Sequence, residues 1–161
     1  MLGGEEYKRK FLVLIDNSPE CDRAVTFAAH RVRRTGGTVV LLTVIETQDF
    51  QQFLGVEEVM RAEAREEAER LIDARVARIA SIGEIRTETA IREGRPLEAI
   101  EALVTEDPGI AVLVLAASAS SEGPGPLVTA FASRAGAPGA IPVLITIVPG
   151  SMTDAQIVAV T

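Results

Sequence analysis

Apolar runs of five to eight residues alternate along the chain with segments that show the periodicity of helices. Four runs contain almost no polar residue, a pattern typical of strands buried on both faces of a parallel sheet. They are FLVLI (11–15), TVVLLTVI (38–45), IAVLVLA (110–116) and IPVLITIV (141–148). Residues 85–91 instead alternate apolar with polar or charged residues, which predicts an edge strand with one wet face.

Between the strands, apolar residues recur every three or four positions and predict four helices. The predicted helices cover residues 19–35, 56–79, 96–106 and 127–135. Ser18 is a suitable N-cap for the first of them, with Pro19 in its first turn. Gly36 can adopt the left-handed conformation that ends this helix.

Strands and helices therefore alternate throughout, which predicts right-handed crossovers and an α/β fold with helices on both faces of the sheet. We predict a five-stranded parallel, Rossmann-like sheet with strand order 3-2-1-4-5, because the charged third strand suits an edge. The order reverses between strands one and four, so a ligand would bind at their carboxyl ends, near Ile15–Asp16 and residues 116–121. We expect one domain over residues 1–150 and a tail over 151–161.

Composition excludes several classes of partner. The chain has 161 residues, a net charge of −7 and two lysines, which argues against a nucleic-acid partner. No apolar run approaches the roughly 20 residues that cross a bilayer, and the polar N-terminus does not resemble a signal peptide. We therefore expect a cytoplasmic protein without a membrane partner.

The residues that most enzymes need are scarce. His30 is the only histidine, so neither a Ser-His-Asp triad nor a histidine metal cluster can form. No Gly-Lys-Ser/Thr phosphate loop is present, and no Gly-x-Gly-x-x-Gly follows the first strand. We predict no catalytic residue and no metal ligand, and an enzyme is the least supported class.

Three segments resemble the universal stress protein family: FLVLIDNSPECDRAVTFAAHRVRRTGGTVVLLTVIE, REGRPLEAIEAL and IPVLITIV. The resemblance covers nearly the whole chain and implies the adenine nucleotide alpha hydrolase-like variant of the Rossmann-like fold. In this family the closing strand usually pairs with the same strand of a second subunit. The resemblance thus implies a homodimer, with the interface candidates Ile141, Val143, Ile145 and Ile147.

Family members that bind ATP share a loop of pattern G-x2-G-x9-G-S/T after the fourth strand. Ungapped alignment from Pro142 places other residues at all four positions of that pattern. These are Ala116, Ala119, Thr129 and Ala130. An alignment through Gly123 and Gly125 breaks the spacing.

This loop is poorly suited to bind a polyphosphate. A Cβ blocks the close approach that glycine allows, and Pro124 and Pro126 lack N–H donors. Arg134 is the only cation after Arg95. Hydroxyl groups that could donate instead belong to Ser118, Ser120, Ser121 and Thr129, although the serines also suit turns.

The adenine side of the family site is better preserved. Asp16 aligns with the aspartate that follows the family's first strand, with Ile15 beside it. Val44 aligns where the family's second strand meets the base. Asp16 is equally well explained as a turn residue, and Val44 is better explained as a core residue.

Three functions remain open. The first is a non-enzymatic stress-response or regulatory dimer without strong ATP binding and without a cofactor. The second is a module that binds an adenine nucleotide, ATP or AMP, through Asp16 and the loop after strand four. The third, a hydrolase or transferase acting on a nucleotide, has no supporting base or metal set.

Overall fold

The computed structural model describes residues 9–47 and 55–161, and these residues form five strands and five helices. The strands are β1 (Lys10–Leu14), β2 (Thr38–Ile45), β3 (Arg86–Glu93), β4 (Ile110–Ala117) and β5 (Leu144–Pro149). The helices are α1 (Cys21–Thr35), α2 (Glu57–Ile82), α3 (Pro96–Glu106), α4 (Pro126–Arg134) and α5 (Asp154–Val160). None of these helices is both long and apolar enough to span a bilayer.

All five strands are parallel and follow the order β3-β2-β1-β4-β5, which confirms the predicted fold class. β1 lies at the centre, and the order reverses between β1 and β4. The edges are β3 and β5. β3 contains four charged residues, two arginines and two glutamates, whereas β5 contains no charged residue.

Side chains alternate between the two faces of the sheet, as strand geometry requires. On β1, Val13 points into a core shared with α1, α2 and α5, while Leu12 points into a core shared with α3 and α4. Both side chains are fully buried. The burial of both faces explains why the central strands are almost entirely apolar.

Several predicted boundaries differ from the structure by one to three residues, and the largest differences are in α2 and β5. α2 ends at Ile82, three residues after the predicted end at Ile79. β5 begins at Leu144, three residues after the predicted start at Ile141. Ile141 and Val143 precede the strand and pack against the α3–α4 core. The prediction for this strand was therefore right in type but too long at its beginning.

Ser18 does not cap α1, so that prediction was wrong. The helix begins at Cys21, and the Ser18 backbone N–H and hydroxyl donate to Asp16 Oδ1 at 2.9 and 2.5 Å. Asp16 and Ser18 thereby form a local turn that competes with capping.

Residues 151–161 are not an unstructured tail. They contain α5, whose capping box pairs Thr153 with Gln156. Ile157 is fully buried in the core beside α1. Arg23 of α1 forms an ion pair with Asp154 at 2.7 Å. The segment is thus an integral layer of the fold.

Candidate functional site

A cavity of 120 Å³ opens between the carboxyl ends of β1 and β4, where the strand order reverses. Leu14 and Asp16, at the end of β1, line it together with Leu115 and Ala116 of the neighbouring β4. Residues at the start of α4 also line it. The cavity therefore lies where ligands bind in sheets of this topology. It is smaller than the roughly 300–1,000 Å³ of ordinary ligand pockets.

Asp16, Glu20 and Cys21 are the titratable groups that line this cavity. Asp16 is exposed at its mouth, and its Oδ1 atom is already bonded to Ser18. Burial raises the pKa of the Cys21 thiol, which is 2% exposed. A neutral, buried thiol is a poor nucleophile.

The loop after β4 bonds mainly to itself. The Ser118 N–H donates to the Pro124 carbonyl at 2.9 Å, which closes the loop. The N–H groups of Ser120 and Glu122 donate to the hydroxyl oxygens of Ser118 and Ser120, both at 3.1 Å. The Gly123 N–H donates to the Ser120 carbonyl at 3.3 Å. Four backbone donors that could face an anion are therefore used inside the loop.

Thr129 and Ala130 lie inside α4, not in the loop. The Thr129 hydroxyl donates to the Gly125 carbonyl at 3.0 Å, as its N–H does at 3.1 Å. Pro126, at the start of the helix, has no N–H to offer. The Thr129 hydroxyl, a candidate phosphate donor in the sequence, is thus engaged within the first turn of the helix.

Glycines adopt positive φ in this loop at Gly123 (111°) and Gly125 (112°). Within the described ranges no other residue type has positive φ, so Ala116, Ala119 and Thr129 carry no left-handed strain. The positions of positive φ in this loop are therefore two glycines that the ungapped alignment does not match to the family's glycine pattern.

The electrostatic character of the site is negative. A second, wider opening of 720 Å³ adjoins the cavity along the outer side of the loop. Asp16, Glu20 and Glu122 contribute carboxylates to the two openings, and among the described residues no lysine or arginine lines either one. Glu20 and Glu122 were missed from the sequence, because neither belongs to a recognisable motif.

The structure separates the predicted site residues into two groups. Those that border the two openings are Asp16, Ala116, Ser118, Ser120, Thr129 and Ala130. Ile15 is 1% exposed and belongs to the core beneath α1. Val44 lines a separate cavity between β2 and α2. Ala119 and Ser121 are exposed on the loop.

The described residues contain no group of three or more histidine, cysteine or acidic side chains placed to hold a metal ion. The site instead consists of small, hydroxyl and acidic side chains around a short cavity.

The fold and the position of the cavity define a class: α/β proteins with a parallel, doubly wound sheet and a candidate binding site at its switch point. Within that class, the universal stress protein family model matches residues 8–151, and the chain belongs to this family. No curated protein matches the chain in sequence.

Solved structures with this fold include universal stress proteins from several organisms. The protein UspA from Lactobacillus plantarum superposes with a TM-score of 0.71 at 20% identity, covering 88% of this chain and 98% of that one. An Arabidopsis thaliana family member with AMP bound has a TM-score of 0.60 at 19% identity, covering 88% and 91%. A universal stress protein in complex with cAMP has a TM-score of 0.56 at 19% identity, covering 90% and 99%.

Proposed function

We propose that this universal stress protein is a non-enzymatic, regulatory homodimer that does not bind ATP strongly. The observation that carries the proposal is the inward bonding of the loop after β4. In such a role the protein would act by binding a partner or by changing its oligomeric state, and it would catalyse no reaction.

The loop's hydrogen bonds support weak phosphate binding. Ser118, Ser120, Glu122 and Gly123 use their N–H groups within the loop. Anion sites built on loops and helix starts depend on such groups pointing outward together. To bind a triphosphate, this loop would have to break several of its own hydrogen bonds first.

Charge opposes the same ligand. ATP carries about four negative charges, and the two openings present Asp16, Glu20 and Glu122. Like charges at close range cost free energy that rises as water is excluded. No cation among the described residues lines these openings, which leaves the backbone N–H groups at the start of α4 as the favourable contribution from the protein.

Calorimetric titration of the purified protein with ATP and magnesium tests this proposal. We expect no saturable heat up to about 1 mM ligand, which corresponds to less than about 4 kcal/mol of binding free energy. Micromolar binding that is lost in Asp16→Ala would contradict the proposal. If the Glu122→Gln variant binds ATP more tightly than the unchanged protein, that result would support charge repulsion as a cause of weak ATP binding.

The homodimer is proposed through β5. This strand is a sheet edge, and an edge presents unpaired N–H and C=O groups that pair readily with another chain. β3, the other edge, has charged residues that discourage pairing, whereas β5 has none. Ile147, 41% exposed on β5, is the interface candidate that the fold leaves most accessible.

Ile147→Lys is expected to convert the dimer to a monomer, because an edge lysine places a charge in the pairing surface. Light scattering after size exclusion gives the mass directly. Thr89→Lys, on the exposed face of β3, is the matched control and should leave the mass unchanged. A wild-type protein that is monomeric at micromolar concentration would contradict the dimer.

A second candidate function is the binding of an adenine nucleotide with fewer phosphates. It is favoured by two neighbours in fold, one with AMP bound and one in complex with cAMP. AMP or a cyclic nucleotide would carry less charge toward Glu20 and Glu122. The same titration with AMP and cAMP tests it, and saturable binding lost in Asp16→Ala would favour this candidate over the first.

A further inference from the structure

A cavity of 190 Å³ lies between the carboxyl end of β2 and the middle of α2. Most of its described lining is apolar, with Val44 and Ile45 from β2 and Ala64, Ala68 and Leu71 from α2. The two alanines are one helical turn apart on the same side of α2, and their short side chains leave space above the sheet. An apolar cavity of about 150 Å³ is large enough to bind benzene. This cavity is therefore large enough for a molecule of one ring.

This cavity lies on the opposite face of the sheet from the one that Asp16 lines. Leu71, in its lining, packs in the core shared with α1. Leu14 and Leu115, which line the cavity near Asp16, pack in the core shared with α3 and α4. The cavity beneath α2 is thus a site distinct from the candidate nucleotide site.

Thr43 brings an unpaired hydroxyl group to this cavity. The residue lines the cavity and is 5% exposed. Leu41 points into the core shared with α1 and α2, and Thr43, two residues further along β2, points to the same face. The Thr43 Oγ1 atom is buried and has no hydrogen-bond partner among the described residues. Since buried hydroxyl groups in folded proteins are nearly always paired, this atom is available to a ligand.

Water satisfies this hydroxyl group poorly. A buried water molecule usually makes about three hydrogen bonds. Apart from Thr43, the polar side chains in the described lining are Glu46 and Glu67. Glu46 is exposed, and Glu67 forms an ion pair with Arg70. A molecule with an apolar body and one polar group matches the lining better, because its body contacts the aliphatic side chains while its polar group bonds to Thr43.

The same two glutamates restrict the charge of the ligand. The carboxylates of Glu46 and Glu67 repel an anion at close range. A charged group placed against the aliphatic side chains would also lose its hydration without gaining a partner of opposite charge inside the cavity. An uncharged ligand avoids both costs.

We propose that the cavity between β2 and α2 binds a small uncharged molecule, a single ring that carries one hydroxyl group, and that this group pairs with the hydroxyl of Thr43. The inference goes beyond the function proposed above and does not depend on it, because that function concerns the loop after β4 and the β5 edge.

Phenol is the probe, and amide shifts in ¹H–¹⁵N spectra of the full chain are the measurement. We expect saturable shifts at Thr43, Ile45 and Ala68, with a dissociation constant of about 1 mM, which is ordinary for a ligand of seven heavy atoms. Benzoate, a ring of the same size with a negative charge, should give no saturable shift. Benzoate that binds as tightly as phenol would overturn the inference that the ligand is uncharged.

Thr43→Val keeps the shape of the side chain and removes its hydroxyl group. This variant should bind phenol about threefold to tenfold more weakly, because one hydrogen bond is lost. Its affinity for toluene, which has no hydroxyl group, should not fall. Thr43→Ser retains the hydroxyl group and should bind phenol more tightly than Thr43→Val does. Equal phenol affinity in the wild-type protein and Thr43→Val would overturn the role of this hydroxyl group.

Ala64→Leu fills the cavity and should abolish the binding of both phenol and toluene. The matched control is Ala62→Leu, which adds the same atoms at an exposed position of α2 outside the described lining. It should leave both affinities unchanged. No saturable shift in the wild-type protein up to about 10 mM phenol would overturn the inference. Shifts centred on Asp16 and Ala116 would do the same, and this wild-type experiment decides the matter even if Ala64→Leu fails to fold.

Discussion

Gly37→Ala is expected to lower the free energy of unfolding by about 3 kcal/mol or more. Gly37 has φ of 126°, and a Cβ at this position would lie 2.2 Å from the Arg9 carbonyl oxygen. That oxygen accepts the Thr38 N–H at 3.1 Å, where β1 and β2 begin to run side by side. The substitution therefore adds backbone strain and also displaces the first hydrogen bond between two central strands. Urea denaturation gives the difference directly.

Gly94→Ala is the matched control for the steric part of this effect. Gly94 has a similar φ of 131°, but a Cβ there would meet nothing within 4 Å. Its cost should be the left-handed strain alone, about 1–2 kcal/mol. Equal losses in the two variants would show that the chain relieves the clash at Gly37 by a small shift, contrary to this account.

Ile157→Ala is expected to destabilise the protein by about 2–5 kcal/mol, the usual range for a large buried aliphatic residue. Ile157 is fully buried, and it is the one buried residue of α5. Its loss should also release α5 locally, because a helix of seven residues is not stable without packing. Amide hydrogen exchange in α5 should accelerate more than exchange in β1 or β4.

Val158→Ala serves as the control on the same helix. Val158 is 47% exposed, so its truncation should change the free energy of unfolding of the monomer by less than about 0.5 kcal/mol. If both variants had the same stability, Ile157 would not be the anchor of α5.

The strands and the topology could be predicted because each depends on a strong local pattern. The run 11–15 is apolar at every position and the run 38–45 at all but Thr38 and Thr43, a pattern typical of strands that are covered on both faces. The charged residues of β3 then favour an edge for that strand, and the order 3-2-1-4-5 fits that placement. The bounds of α3 were predicted correctly because a proline and Asp107-Pro108 mark its two ends.

α5 was missed because its apolar pattern rests on a single buried residue. A signal was present in the capping box, since Thr153 is followed three residues later by Gln156.

The wrong prediction of Ser18 as the N-cap of α1 has a different cause. Ser18 could cap a helix or bond to Asp16, and spacing alone does not decide between these alternatives.

The candidate site was predicted in location but not in detail. The ends of β1 and β4 follow from the strand order, and Asp16 and Ala116 do border the cavity. The path of the loop depends on hydrogen bonds among its own serines and on the φ angles of Gly123 and Gly125. Those interactions arise only in three dimensions, which is also why the carboxylates of Glu20 and Glu122 were not anticipated.

The measurement that most directly tests the central claim is the nucleotide content of freshly purified protein. The protein is denatured, the released small molecules are separated, and absorbance is read near 260 nm. The background is low, because the chain has no tryptophan and one tyrosine. We predict no ATP in the released fraction. One ATP per chain would contradict the account, because a loop that uses four of its backbone amides internally would then have bound a triphosphate firmly enough to survive purification.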